Sequence, residues 1–282
     1  MEKNKILRFI LVFAAITVTA VLIFLTALCA AAGYITTKKY LFSALNRVNY
    51  AEDSVKVIEE SLNYLTVPSG LPDSFFTGKI DSADVGKITE DCIEKNYDGL
   101  AFTPDTADLK SKFNGYFTEY AASGNVASDI DVKSEAVDSL AEICVQQCVS
   151  VSANQIIKYL SLYSGKVNKY AVIAAAVFAL LSAVGITLLI KIGRGVFGNL
   201  YLFFAVCSSG IMSALLPIIM LAGKFVNKID ITPYTVSNLL TAYTNGALYI
   251  LTAIGLILIA GAALIYLYRK NNGRGKHNQS EI

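Results

Sequence analysis

The chain alternates between long apolar stretches and one long polar stretch. Four segments contain no charged residue: 9–33, 170–190, 196–222 and 245–268. A helix needs about 20 apolar residues to cross the roughly 30 Å hydrocarbon core of a bilayer. A helix also satisfies its own backbone hydrogen bonds in lipid, as a spanning segment must. Each of the four segments therefore predicts a transmembrane helix, and the chain is predicted to be a multi-pass membrane protein.

The polar segment between the first two spans has the periodicity of helices. From Tyr40 to Leu65 apolar residues recur at intervals of three and four, with no Pro or Gly between, so the first span is predicted to continue outward as one long helix. A loop is predicted at 67–78, followed by three further helices. These are a helix over 81–96, a helix from Thr103-Pro104 to Ala122, and a last helix from near Asp131 that continues towards the second span and is weakened only at Gly165.

The predicted fold class is an all-α membrane protein with four transmembrane helices and a helical extracytoplasmic domain between the first and the second. This domain is predicted to be a long helical hairpin with two shorter helices packed against it. The predicted layout is a cytoplasmic N-terminus (1–8), span one (9–33), the extracytoplasmic domain (34–168), span two (169–190), a short cytoplasmic loop (191–195), span three (196–222), an outer loop with an interfacial helix (223–244), span four (245–268) and a basic cytoplasmic tail (269–282).

The charges are segregated along the chain. Residues 34–167 carry 12 Lys/Arg and 19 Asp/Glu, whereas the rest carries 12 Lys/Arg and 3 Asp/Glu. Nine of those basic residues lie in the short segments 1–8, 191–195 and 269–282, so the positive-inside rule places these segments in the cytoplasm and 34–168 outside a cell membrane. Nucleic-acid binding is not indicated, because membrane topology accounts for the positive charge.

A cleaved signal peptide ending near Ala30-Ala31-Ala32 is the alternative for the first span.

Side chains suited to catalysis are scarce. The one histidine is His277, so a Ser–His–Asp triad or a histidine metal site outside the membrane is excluded. The chain has neither a phosphate-binding loop of the Walker type nor charged residues within the spans. We therefore expect no enzyme activity, no cofactor and no metal site.

In the outer domain Cys92, Cys144 and Cys148 are candidates for a disulfide, with Cys92 bonded to one of the other two.

Two further patterns indicate packing and binding surfaces. Small residues recur at every fourth position in span two and in span three, a spacing that lets membrane helices approach closely. These are Ala175, Ala179, Ala183 and Thr187 in span two, and Ala205, Ser209 and Ser213 in span three. Aromatic residues of the outer domain that are candidates for a ligand or partner surface are Tyr97, Phe102, Tyr116 and Tyr120.

A folded acidic domain without catalytic groups favours a binding function. We expect a non-catalytic membrane protein, surrounded by the lipid bilayer, whose outer domain binds a membrane or extracellular protein partner or a small ligand. Such a chain would serve as an accessory, scaffold or sensor subunit of a membrane complex.

The alternative function comes from the layout alone. One span, a large outer domain and three further spans with both ends inside resemble the permease subunits of cell-division and macrolide-exporter-type ABC transporters. The resemblance covers the topology of the whole chain and no sequence motif. It implies a subunit that works with a separate cytoplasmic ATPase. Such permeases typically contact the ATPase between spans two and three, where this chain has only 191–195.

Overall fold

A computed structural model describes residues 2–123, 134–193, 196–228 and 231–277. The structure is 86% helical, and the described residues contain no strand. The helices are α1 (Glu2–Ile35), α2 (Lys38–Arg47), α3 (Tyr50–Ser69), α4 (Ser82–Tyr97), α5 (Ala107–Ala122), α6 (Ser134–Ser152), α7 (Gln155–Ile192), α8 (Val196–Ala222) and α9 (Tyr234–His277), with a 3₁₀ turn at Val226–Lys228. The all-α prediction is confirmed. The helix start predicted near Asp131 lies outside the described residues.

In the described part of the chain four helices are long and apolar enough to cross a membrane. They are Ile6–Ile35, Gln155–Ile192, Phe197–Ala222 and Tyr234–Tyr268. Each coincides with one of the four charge-free segments to within one residue or extends beyond it, so the prediction of four membrane-spanning helices is confirmed at the level of helix length and composition.

The chain divides into two compact units. The first, which we call the span unit, comprises 1–37, 167–229 and 243–282. The second, which we call the insert unit, comprises 38–166 and 230–242.

In the span unit α1 packs antiparallel to α7. Thr26 Oγ1 lies 3.2 Å from Ser182 Oγ, and nearer the end of α1 the Asn168 amide donates to the Gly33 carbonyl. A Cβ on Gly185 would come within 2.8 Å of Thr19 Oγ1, so these backbones are close. Small residues allow this close approach of α1 and α7.

Helix α8 runs parallel to α1, and α9 returns antiparallel to α8. Ala20 of α1 and Ala205 of α8 share one buried cluster, with Tyr201 packed beside it. At the next crossing a Cβ on Gly255 of α9 would lie 2.7 Å from the Ala214 backbone nitrogen. One end of this unit therefore holds the first turns of α1 and α8 together with the last turns of α7 and α9.

The insert unit has a core of larger side chains. Phe76 precedes α4 and packs its ring against Phe113 and Phe117 of α5, with centroids 6.4 and 6.2 Å apart. Ile58 of α3 and Ile93 of α4 are fully buried as well. This is the core expected of a helical domain folded in water.

The helices that follow the first span are more broken than predicted. The single helix predicted from the first span to Leu65 is wrong, because turns at 36–37 and 48–49 separate α1, α2 and α3. At the first turn the Thr36 hydroxyl bonds to the Ala32 carbonyl, and such a hydroxyl competes with helical hydrogen bonds. At the second turn Asn49 adopts a left-handed conformation with φ 48° and ψ 44°, which asparagine tolerates better than most residues.

The helix predicted to run from near Asp131 into the second span is interrupted. The chain breaks at Ala153-Asn154, where the Asn154 side chain accepts from the Ile157 backbone N–H and so caps the start of α7. Gly165, expected to weaken the helix, lies inside α7. A Cβ there would clash with the Tyr97 carbonyl oxygen, so this glycine is needed for close approach rather than for a turn.

Two predicted helix starts have different outcomes. The start at Thr103-Pro104 is wrong, because residues 101–106 are not helical and α5 begins at Ala107. Pro104 is instead part of the extended connection. The start after Thr232-Pro233 is confirmed, since α9 begins at Tyr234. The predicted turn between an interfacial helix and span four is wrong, because α9 is one helix.

Candidate binding cleft

The insert unit has a cleft of about 350 Å³ where α2 and α3 meet α4. Its described walls combine two aromatic rings, carboxamides, hydroxyls and two carboxylates. They are formed by Phe42, Leu45, Asn46, Asn49, Tyr50, Ala51, Glu52, Ser82, Gly86, Thr89 and Glu90. The cleft is therefore polar at its mouth and closed by helices at its base.

Two buried hydroxyls hold the base of the cleft to the end of α6. Tyr50 Oη donates to the Val151 carbonyl at 3.2 Å, and Thr89 Oγ1 lies 2.9 Å from the Ser152 carbonyl oxygen. The last carbonyls of a helix lack partners within the helix, and these hydroxyls supply them. Asn154 completes the arrangement by donating to Tyr50 Oη at 3.0 Å. The base is thus fixed by three elements rather than by a mobile loop.

Burial changes the acidity of this tyrosine. Tyr50 is 2% exposed, and its burial raises the pKa from 10.0 to about 12, although hydrogen bonds from neighbouring side chains act in the opposite direction. The phenol is therefore neutral at physiological pH and acts as a hydrogen-bonding group.

Asn49 lies at the edge of the opening of the cleft. It precedes α3 in a left-handed conformation, which asparagine tolerates better than most residues, and its side chain makes no capping bond. Its exposed amide is directed by a backbone conformation that costs free energy. A residue held in this way is more common at binding sites than elsewhere, so Asn49 supports the assignment of the cleft as a candidate site.

The mouth of the cleft is acidic. Glu52 on α3 and Glu90 on α4 both line it and are exposed, and its described lining includes no Lys or Arg. Two carboxylates beside an aromatic ring suit a cationic group, through charge and cation–π attraction together. The arrangement suits binding.

The predicted aromatic surface falls into two sets. Tyr97 lies beside Lys38, whose Nζ is 5.2 Å from the ring centroid, and Phe102 lies between Lys95 and Lys158 at 5.9 Å from each. All these residues are in the insert unit but outside the cleft lining.

Tyr116 and Tyr120 belong to the second set, on α5. The Tyr120 ring packs edge-on against Phe75 at 5.3 Å. The Lys79 ammonium lies 3.4 Å from the Phe75 ring centroid and 5.1 Å from that of Tyr116, and desolvation lowers the pKa of this lysine. Tyr116 and Tyr120 are half-buried at the edge of the phenylalanine core, so most of their contact is with the protein itself.

The three cysteines of the insert unit are buried free thiols. Cys92, Cys144 and Cys148 each have no exposed surface, and the disulfide considered from the sequence is not formed in the structure. Burial raises the pKa of Cys144 and of Cys148 to about 12. These thiols are protonated and inert in the folded chain.

The two small-residue stripes differ in burial. Ala205, Ser209 and Ser213 of α8 are all buried. In α7, by contrast, Ala175 is half-buried, and Ala179, Ala183 and Thr187 are exposed. In the part of α7 that belongs to the span unit, the buried positions are Ala171, Ser182 and Leu189, on another face of the helix.

Sequence reasoning did not single out the residues of the cleft. Asn49 and Glu52 fall inside the single helix predicted through Leu65, and Glu90 falls inside the helix predicted over 81–96. One signal was present: Asn49 three residues before Glu52 matches the start of a helix, with a capping residue followed by an acid in the first turn.

Neither a search for metal ligands nor comparison with known proteins assigns a further role to the chain. In the described parts of the chain no three His, Cys, Asp or Glu side chains come together as metal ligands. Comparison with known proteins finds no protein-family model, no curated protein and no solved structure that matches this chain.

Proposed function

We propose that this chain is a non-catalytic integral membrane protein whose insert unit, exposed outside a cell membrane, binds a protein partner. The observation that carries the proposal is the cleft between α2, α3 and α4, with Glu52 and Glu90 at its mouth and a fixed hydroxyl base. The partner presents a cationic group, a Lys or Arg side chain, to this cleft.

The charge of the insert unit supports a basic partner. Residues 34–167 have an excess of seven acidic residues, and exposed acidic surfaces accelerate and orient encounters with basic ones. A volume of about 350 Å³ is at the small end of ligand sites. It suits one side chain of a partner better than a whole cofactor.

The test is affinity purification of the tagged full chain from crosslinked native membranes. The double variant Glu52→Gln/Glu90→Gln removes both charges from the cleft mouth. Its matched control is Glu60→Gln/Glu94→Gln, which removes one exposed glutamate from each of the same two helices outside the cleft lining. We expect a partner that is retained by the wild type and the control and reduced about tenfold or more in the cleft variant, because each charge-assisted hydrogen bond contributes about 1.5–3 kcal/mol.

Two results would refute the proposal. A partner lost equally from both double variants would place recognition outside the cleft. A stoichiometric cytoplasmic ATPase, insensitive to both variants, would favour the permease interpretation instead. In that case the ATPase would contact a chain with only three residues between the end of α7 at Ile192 and the start of α8 at Val196.

A further inference from the structure

The span unit has a groove along its surface between α1 and α8. The groove encloses about 770 Å³ and is walled mainly by large apolar side chains, including Phe9, Phe13 and Ile16 of α1 and Tyr201, Phe204 and Met212 of α8. Phe9, Phe13 and Phe204 are 71%, 64% and 48% exposed, so the described part of the chain leaves them largely uncovered.

The groove has the length of one lipid leaflet. Its α1 wall runs from Arg8 to Ala20. Twelve residues at 1.5 Å each span about 18 Å, compared with about 15 Å for half of the hydrocarbon core. An extended acyl chain matches this length.

Charge is found at one end only. Arg8 is the one charged residue among the described residues of the lining, and it lies at the end where Phe197, in the first turn of α8, forms the opposite wall. An arginine at the end of an apolar groove is placed to bind a phosphate, since its guanidinium donates two parallel hydrogen bonds to phosphate oxygens.

The walls favour a lipid chain over a second helix. Helices associate in membranes through small residues that let backbones approach, as Gly210 and Gly255 do in this unit. Aromatic rings along the groove keep another helix at a distance, while a flexible acyl chain fits between them.

We propose that this groove binds one anionic phospholipid, with an acyl chain between α1 and α8 and its phosphate on Arg8. An anionic headgroup is favoured over a zwitterionic one because the latter carries its own cation to compensate the phosphate. This inference rests on the span unit alone and does not depend on the proposed function of the insert unit.

The test is native mass spectrometry of the purified full chain in detergent, with phosphatidylglycerol or phosphatidylcholine added at equal concentration. We expect one retained phosphatidylglycerol in preference to phosphatidylcholine. The variant Arg8→Gln should reduce that preference up to about fivefold, the upper range for an exposed ion pair. Lys191→Gln, a basic residue in the last turn of α7 and outside the groove lining, should leave the preference unchanged.

A second pair of variants tests the groove itself. Thr17→Phe fills it and should abolish retention of both lipids, while Val18→Phe, on the neighbouring exposed position outside the lining, should not. Ser208→Phe fills the same groove from α8 and serves if the first variant does not elute as a single folded species.

Three outcomes would overturn the inference. Equal losses in Arg8→Gln and Lys191→Gln would indicate a diffuse charge effect. Undiminished retention in both groove-filling variants would indicate lipid bound elsewhere. Dimers that disappear on filling the groove, without lipid in the wild type, would identify a second copy of the chain as the occupant.

Discussion

The span unit and the insert unit differ in the size of the side chains that they bury. At the crossings of α1, α7, α8 and α9 most buried positions are small, such as Ala20, Ala205 and Ser209, with Leu189 as an exception, while most large apolar side chains, such as Leu180, face outward. In the insert unit most buried positions are large, and Phe76 and Phe113 are at most 1% exposed. Lipid is as apolar as leucine, so membrane helices gain little by burying large side chains and associate through close backbone contact. Burial from water drives the insert unit instead.

The largest expected effect is in the phenylalanine core. Phe76→Ala removes a fully buried ring and should lower the free energy of unfolding of the insert unit by about 3–5 kcal/mol. The readout is the urea concentration at which Cys92, Cys144 and Cys148 become accessible to a maleimide in the detergent-solubilised chain. Leu180→Ala, at a position 71% exposed in α7, should leave that midpoint within error. Similar shifts for both variants would contradict the contrast between the units.

The close contact between α8 and α9 should be intolerant of added volume. A Cβ on Gly255 would lie 2.7 Å from the Ala214 backbone nitrogen and 2.8 Å from the Gly210 carbonyl oxygen, so neither neighbour can move without shifting a helix. Gly255→Leu should therefore cost about 1–3 kcal/mol or more and reduce the monodisperse fraction in size-exclusion chromatography. Gly261→Leu, where nothing lies within 4 Å, is the control on the same helix. Indifference to Gly255→Leu would argue against close packing of α8 and α9.

One position in the insert unit uses the close approach typical of the span unit. Gly165 of α7 faces the Tyr97 carbonyl, so Gly165→Ala should lower the urea midpoint, with a cost of about 1–3 kcal/mol. Gly115 of α5 has open space around it, so Gly115→Ala should raise the midpoint slightly, by up to about 1 kcal/mol of helix propensity. The expected result is a change in the urea midpoint of opposite sign for the two Gly→Ala substitutions. Stabilisation by both would show that the contact at Gly165 is absent.

The buried phenol of Tyr50 predicts a pH dependence of stability. Its pKa is raised from 10.0 to about 12 in the folded chain, so the unfolded chain loses its proton first as pH rises. The contribution of the neutral Tyr50 phenol to the free energy of unfolding is fully present below pH 10. It is lost between pH 10 and 12, at up to about 1.4 kcal/mol per pH unit. Tyr50→Phe should remove this share of the alkaline slope in the urea midpoint. An identical slope in both proteins would mean that Tyr50 ionises freely.

The smallest effect concerns the thiols. Burial raises the pKa of Cys144 and Cys148 to about 12, so both should resist iodoacetamide in native protein at pH 8 and react after denaturation. Counting labelled thiols by mass spectrometry, without reductant, measures this directly. A loss of two reactive thiols in the denatured sample that reductant restores would reveal a disulfide.

The sequence was sufficient for the spans and for the helical class, because both depend on local composition. Charge-free runs of more than 20 residues have few alternatives to a membrane helix. The turns were harder. Asn49 and Asn154 carry the chemistry of helix starts, but the apolar periodicity on either side of each continues without a change of phase, and it outweighed a single polar residue.

The cleft could not be predicted, because it is formed by residues far apart in the chain. Phe42 lies 48 residues and Glu52 lies 38 residues before Glu90. Each by itself is an ordinary position of an amphipathic helix. Only the packing of α4 on α3 brings them together above the hydroxyls of Tyr50 and Thr89.

Site-specific photo-crosslinking tests the binding function most directly. A photoreactive phenylalanine analogue replaces Phe42 in the cleft wall or Tyr64, which is 82% exposed on α3 outside the cleft, in the full chain in its native membrane. We predict a discrete crosslinked protein from position 42 that is absent from position 64 and weakened by Glu52→Gln/Glu90→Gln. Crosslinks from position 64 alone, or a position 42 product unaffected by the double variant, would contradict the assignment of this cleft as the binding site.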